Sequence, residues 1–144
     1  DFYDASMNEK LKALRPDYIL DCIDSVDSKK DLILFALDND IPIISSMGMA
    51  RKKDPGQISV MELEKTSYDP IAKILRIWKR KNKIRKKIQV VSSTEPPVSM
   101  EKGSVLPSAI FVPATAGLAM ANKAVLDLAA DTENEASKDG FEKE

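Results

Sequence analysis

Asp21 and Asp24 stand three residues apart at the end of a short apolar run, within the stretch Pro16-Asp17-Tyr18-Ile19-Leu20-Asp21-Cys22-Ile23-Asp24-Ser25. Tyr18, Ile19 and Leu20 read as a buried strand, and the chain turns helical after Ser25. A carboxylate at the C-terminal end of a parallel strand sits where open α/β sheets bind their ligands. Aspartate is equally a common helix cap, so Asp24 can instead start the helix that follows. Both readings stand at this point.

The residue inventory narrows the chemistry. The 144-residue chain contains no histidine, which excludes histidine triads, histidine metal sites and a histidine general base. Carboxylates, Lys/Arg, hydroxyls, backbone amides or a bound ion remain. Cys22 is the one cysteine, so no internal disulfide forms, which fits a reducing cytoplasm. It reads as a buried apolar filler rather than a reactive thiol. No apolar run approaches the ~20 residues of a membrane span, and the opening Asp1-Phe2-Tyr3-Asp4 shows no signal peptide.

A formal net charge of −1 conceals an uneven distribution. Between Ile71 and Val90 lie Lys73, Arg76, Lys79, Arg80, Lys81, Lys83, Arg85, Lys86 and Lys87, with no acid among them. From Asp127 onward acids dominate. The split describes either a solvated basic face or one that meets an anionic partner.

The elements that must position these groups follow from periodicity. Residues 7–14 read as a short helix, 18–21 as a strand, and 28–39 as a helix capped by Asp27 or Ser28. Residues 41–48 form a compact apolar strand, spaced from the first as in a βαβ crossover. A polar connection leads to a strand over 56–63. Asp69-Pro70 starts a helix whose stripe Ile71, Ile74, Leu75 and Trp78 faces the core. A strand over 88–93 and a loop over 94–108 follow. Pro113 sits in the first turn of a closing helix with a face of small residues, which packs on the sheet or on another subunit. Residues 1–130 form one unit, and the acidic segment 131–144 is expected to be disordered. The fold class is α/β, with a mixed, mostly parallel sheet and flanking helices.

Asp21-Cys22-Ile23-Asp24-Ser25 resembles the Asp-x-x-Asp-(Asn/Ser) strand end of the E1-like adenylating enzymes, the superfamily of ubiquitin-activating and sulfur-carrier-activating proteins. Lys65-Thr66-Ser67-Tyr68-Asp69-Pro70-Ile71-Ala72, continuing to Arg76, is similar to a segment of the tRNA threonylcarbamoyladenosine dehydratases within it. Val90-Val91-Ser92-Ser93-Thr94-Glu95 and the closing helix also resemble that branch, in the same order along the chain. The resemblance implies the C-terminal portion of a Rossmann-like E1-type fold. It also implies an enzyme that uses ATP and Mg²⁺ to activate the carboxylate of threonylcarbamoyladenosine in tRNA for cyclising dehydration. Asp24 then matches the ligand of the magnesium–ATP phosphates and Ser25 a residue of the nucleotide site. Arg76, Lys79, Arg80 and Lys83 become candidates for tRNA phosphates. Asp21 is a weaker site candidate, Gly48 serves a tight turn, and Thr94 and Glu95 have no assigned role. A homodimer and a cytoplasmic location are implied, with a sulfur-transfer protein as a further partner.

The departures from the pattern are specific. The five glycines, at 48, 56, 103, 117 and 140, include no Gly-x-Gly-x-x-Gly phosphate loop. The expectation is therefore a C-terminal part of a longer enzyme, inactive in isolation. Two alternatives are an adenylyltransferase for a ubiquitin-like sulfur carrier and a non-catalytic RNA-binding or dimerisation fragment.

Overall fold

Apolar β-branched residues in short runs make the two central strands. Ile43 and Ile44 of β2 (Ile43–Ser46) and Val90 and Val91 of β4 (Gln89–Ser93) are buried on both faces of the sheet, as parallel strands require. The computed structural model describes residues 3–99 and 109–141, the side chains of 134–141 excepted. Strand β1 (Ile19–Asp21) pairs parallel with β2, in register Ile19 to Ile43, and β2 pairs parallel with β4. Strand β3 (Ile58–Glu62) closes the far edge antiparallel to β4, giving the order β1-β2-β4-β3. The expected mixed, mostly parallel sheet is therefore observed.

Helices cover both faces. After the short α1 (Asn8–Leu14), α2 (Val26–Asp38) crosses from β1 to β2. Together with α3 (Pro70–Lys81) it packs Leu32, Ile33, Phe35, Ala36, Ala72 and Leu75 against Ile19, Ile43 and Val90. On the opposite face α4 (Phe111–Phe141) lays Ala116 and Met120 against Ile44 and Val91. Val112, Ala116, Met120 and Ala124 are buried at intervals of four, one ridge of the helix. Ala116 and Ala124 let that helix approach the strands. Of the small residues expected on its packing face, Ala116 and Ala124 are buried, whereas Ala114, Gly117 and Ala121 are exposed.

Several boundaries and orientations differ from the sequence reading. Helix α2 begins at Val26 with Ser25 as its N-cap residue, ahead of Asp27 and Ser28. Cys22 is exposed, its Sγ 4.0 Å from Met120 Sδ, because β1 is an edge strand and α4 covers it incompletely. Ile74 is also exposed, since the buried face of α3 centres on Leu75 with Ala72 and Lys79 beside it. The backbone of residues 131–141, a segment expected to be disordered, continues α4. Residues 100–108 and 142–144, parts of the expected loop and tail, lie outside the described residues.

Leu75 is fully buried and Ile74 is 44% exposed. Leu75→Ala should therefore cost about 2–5 kcal/mol in denaturant unfolding, and Ile74→Ala within about 0.5 kcal/mol, as for an ordinary surface change.

Candidate functional site

The C-terminal ends of β1 and β2 open into a cavity of about 350 Å³. Asp24 enters it from the β1–α2 turn, Gly48 to Lys52 from the connection after β2, and Tyr68 to Ile71 from the start of α3. This is where an open α/β sheet places its ligands. Asp24 is exposed, and its carboxylate has no hydrogen-bond or ion-pair partner among the described residues. It makes no cap: α2 has no side-chain cap bond, and Ser25 occupies the N-cap position. The capping reading of Asp24 is thereby excluded.

Asp69 is the opposite kind of carboxylate. It is buried at the N-cap of α3, and its Oδ1 accepts the Ala72 N–H at 2.6 Å. The Gly48 and Ile71 N–H groups also donate to it. Burial pushes its pKa above the ordinary 3.8, against these hydrogen bonds and the nearby Lys52 charge. Gly48 explains itself at this contact, because a Cβ there would stand 2.6 Å from Asp69 Oδ2. Its requirement is close approach of the chain to a carboxylate.

Two cations complete the lining. Lys52 is buried, and that burial depresses its pKa against the attraction of Asp69 and Glu95. Arg51 has φ 63° and Tyr68 φ 54°, left-handed conformations uncommon outside glycine and concentrated where chains are held for function. Both residues line the cavity.

The segment after β4 holds these cations in place. Arg51 Nε donates to the Val98 carbonyl at 2.8 Å, and Val98 N–H donates to the Arg51 carbonyl at 3.0 Å. Lys52 Nζ donates to the Glu95 carbonyl. Glu95 Oε2 accepts the N–H groups of Lys53 and Asp54 at 2.9 and 3.0 Å, which keeps its carboxyl below the usual glutamate range. Thr94 N–H joins Gln57 O at 3.1 Å. Glu95 and Thr94 thus acquire a role that their sequence does not announce: they latch the β4 end to the loop bearing Arg51 and Lys52.

The basic helix divides into spent and exposed charges. Lys79 is buried and ion-paired with Glu64, and Arg76 Nη1 donates to the Thr66 carbonyl at 3.0 Å. These two candidates for phosphate contact are therefore held by other partners, Lys79 buried and Arg76 half-buried. Arg80 and Lys83 are exposed, as are Lys73, Lys81 and Arg85. A second cavity, of about 360 Å³, lies at the other end of the strands. Its charges are consumed in pairs: Lys86 with Asp40, Lys87 with Glu62, and Lys123 with Asp127. Tyr18, beside it, is pushed up to about 12 by burial and by its hydrogen bond to Asp127. Of these two cavities, the first holds a carboxylate, Asp24, without a partner among the described residues, and it lies at the strand ends where an open α/β sheet binds its ligands.

Comparison with known proteins finds relatives of one kind. The chain is 36% identical over 154 residues to the tRNA threonylcarbamoyladenosine dehydratase of Bacillus subtilis, an alignment spanning 96% of this chain and 61% of that protein. The chain is a homologue of the tRNA threonylcarbamoyladenosine dehydratases. The Saccharomyces cerevisiae dehydratase 2 matches at 44% identity over 92 residues, 64% of this chain and 20% of that protein. The solved structure of the Escherichia coli dehydratase TcdA in complex with AMP superposes with a TM-score of 0.84 at 30% identity. That match covers 93% of this chain and 57% of TcdA. The complex of TcdA with ATP gives a TM-score of 0.81 over the same share of this chain. The fold is thus that of the E1-like dehydratases, and the chain spans about three-fifths of the length of the Bacillus relative. No family model matches the chain. Among the described residues, no helix is long and apolar enough to cross a membrane.

Of the two residues the motif reading named, Asp24 lines the cavity and Ser25 does not. Arg51, Lys52 and Asp69 escaped it: Arg51 and Lys52 looked like part of a polar connection, and Asp69 like a helix start alone. Only Asp69-Pro70 carried a usable signal, the capping motif.

The latch generates a pH-dependent prediction. Glu95 ionises below its ordinary 4.5 in the folded protein, so its bonds hold above that value and are lost as the pH falls through the lowered one. Amide exchange should show the Lys53 and Asp54 N–H groups protected at pH 5 to 7, and unprotected at the same pH in Glu95→Ala.

Proposed function

We propose that the protein containing this chain is an ATP-dependent tRNA dehydratase acting on threonylcarbamoyladenosine, and that Asp24 is its carboxylate ligand on the nucleotide side. The observation that carries the reading is a carboxylate just past the C-terminal end of a parallel strand, without a partner among the described residues, lining a cavity with Arg51 and Lys52. The relatives named above, and the AMP and ATP complexes of TcdA, support it. They also favour a dehydratase over an adenylyltransferase for a sulfur carrier.

The chemistry needs a poor nucleophile to react. The threonylcarbamoyl carboxylate attacks the α-phosphorus of ATP and expels pyrophosphate. The activated acyl group then closes intramolecularly and releases AMP, so the net change in the modified base is loss of water. Positive charge from Arg51 and Lys52 favours binding of anionic substrate groups and stabilises charge that builds on the phosphorus oxygens. Asp69, satisfied by backbone N–H groups, fixes the start of α3 instead of reacting.

The donor set bears on magnesium. Among the described residues no group of three acidic or other ligating side chains converges. Of the two carboxylates lining the cavity, Asp69 already accepts several hydrogen bonds and Asp24 accepts none. That suits a magnesium ion held by one carboxylate, phosphates and water, the usual mode for Mg²⁺, and does not suit an all-protein cage. Bound there by Asp24, the metal would neutralise phosphate charge.

The exposed cations of α3 and the turn after it form the basic face for tRNA within this reading, with Arg80 and Lys83 retained and Arg76 and Lys79 withdrawn. The reading also includes the homodimer, for which the outward face of α4, with Phe111, Leu118 and Val125 exposed, offers apolar surface.

In the full-length protein, Asp24→Asn should abolish ATP-dependent conversion of threonylcarbamoyladenosine tRNA, read by mass spectrometry of the nucleosides. Its melting temperature should stay near wild type, since the carboxylate has no partner among the described residues. A folded and active Asn variant sinks the assignment. On the basic face, Arg80→Ala and Lys83→Ala should each reduce the slope of log K against log salt for tRNA by about 1, leaving the melting temperature unmoved.

A further inference from the structure

We propose that Asp21, Lys29 and Ser45 form a positioning device for Asp24: a buried, charge-neutral network that sets the geometry of the β1–α2 turn. The inference rests on reading Asp24 as the nucleotide-side ligand. All three residues have no exposed surface. Asp21 Oδ2 accepts from Lys29 Nζ at 2.8 Å and from Ser45 Oγ at 2.6 Å, and Lys29 Nζ also lies 3.1 Å from Ser45 Oγ. Asp21 Oδ1 turns the other way and accepts the N–H of Ile23 at 2.9 Å, one peptide before Asp24.

The device therefore grips the turn from both sides. Asp21 ends β1, Lys29 lies in the first turns of α2, and Ser45 belongs to the neighbouring strand β2. The backbone N–H of Lys29 also donates to Ser25 O at 2.9 Å, so the residue after Asp24 is tied to the same helical turn. Four residues, Cys22 to Ser25, span the gap between these anchors. Asp24 has no side-chain partner among the described residues, so its direction is inherited from this backbone.

Stability alone does not account for the network. A buried ion pair bears a desolvation penalty comparable with its Coulomb gain, and replacement by apolar residues of similar volume is often neutral or stabilising. What an apolar pair cannot supply is an acceptor for the Ile23 N–H. Lys29 and Asp21 are fully enclosed and cannot reach a substrate, so they act through Asp24 and are positioning residues.

The test uses two double variants of the full-length protein, Asp21→Leu with Lys29→Met and Asp21→Asn with Lys29→Met. Both remove the charges, and only the second keeps an acceptor for Ile23. Melting temperature and the KM for ATP at saturating tRNA are measured together. Positioning predicts that the Leu/Met pair raises the KM for ATP at least about tenfold, the scale seen when an outer partner of a metal ligand is lost. The Asn/Met pair should recover most of that. A structural role alone predicts shifts in melting temperature with an unchanged KM in both, and that result overturns the inference. If the Leu/Met pair does not fold, Ser45→Ala, which deletes one anchor of Oδ2, decides the question: a rise of about threefold or more in KM supports the device, and a wild-type KM in a folded variant overturns it. Asp24→Asn run alongside separates the two levels. If that variant is active, the functional reading fails; if it is inactive while the double variants match wild type, only the positioning inference fails.

Discussion

A carboxylate with no access to water must be neutralised and hydrogen-bonded, and the burial of Asp21 imposes that constraint on three elements at once. Lys29 supplies the charge from α2, Ser45 a hydroxyl from β2, and Ile23 an N–H from the turn. Satisfying them together fixes the parallel register of β1 on β2, where Asp21 stands opposite Ser45. It also fixes the rotation of α2, which must bring Lys29 inward. The apolar contacts of Ile33 and Phe35 with the sheet are compatible with that rotation, but apolar contacts are non-directional. The polar network is the directional element on this side of the fold.

A second buried carboxylate does comparable service at the other wall of the cavity. Asp69 caps α3 and receives the N–H of Gly48 across from the end of β2, so the helix and the strand meet at one side chain. The absence of a Cβ at position 48 is what allows the approach. The cavity also receives Asp24, unpaired among the described residues, with Arg51 and Lys52 lining the same space. The contrast is informative: the structural acids are saturated with donors, and the acid assigned to chemistry is left open to accept a ligand.

Much of the architecture was legible because it rests on periodicity and short-range chemistry. The helix beginning at Asp69-Pro70 and the strands over β2 and β4 follow from capping and from apolar runs. Failures came where a distant neighbour decides. Ile74 fits the same stripe as Leu75, and only the position of α2 and the sheet selects Leu75 for the core. Lys79 reads as a surface cation until Glu64 and the packing of its stem enclose it. Cys22 reads as buried until β1 proves to be an edge strand.

By itself, then, the order of residues determined the α/β class, the crossover from β1 to β2, and the delivery of Asp24 to a strand end, because each depends on neighbours within a turn or two. The tertiary structure decided which charges are available. Asp21, Asp69, Arg76 and Lys79 are as polar in sequence as Asp24, Arg80 and Lys83, yet long-range contacts enclose or occupy the first group and leave the second open to solvent. The physical reason is that a charge's role depends on its desolvation and its partners. Those partners lie 8 and 24 residues from Asp21 in Lys29 and Ser45, and 21 residues from Asp69 in Gly48, a separation that no local pattern encodes.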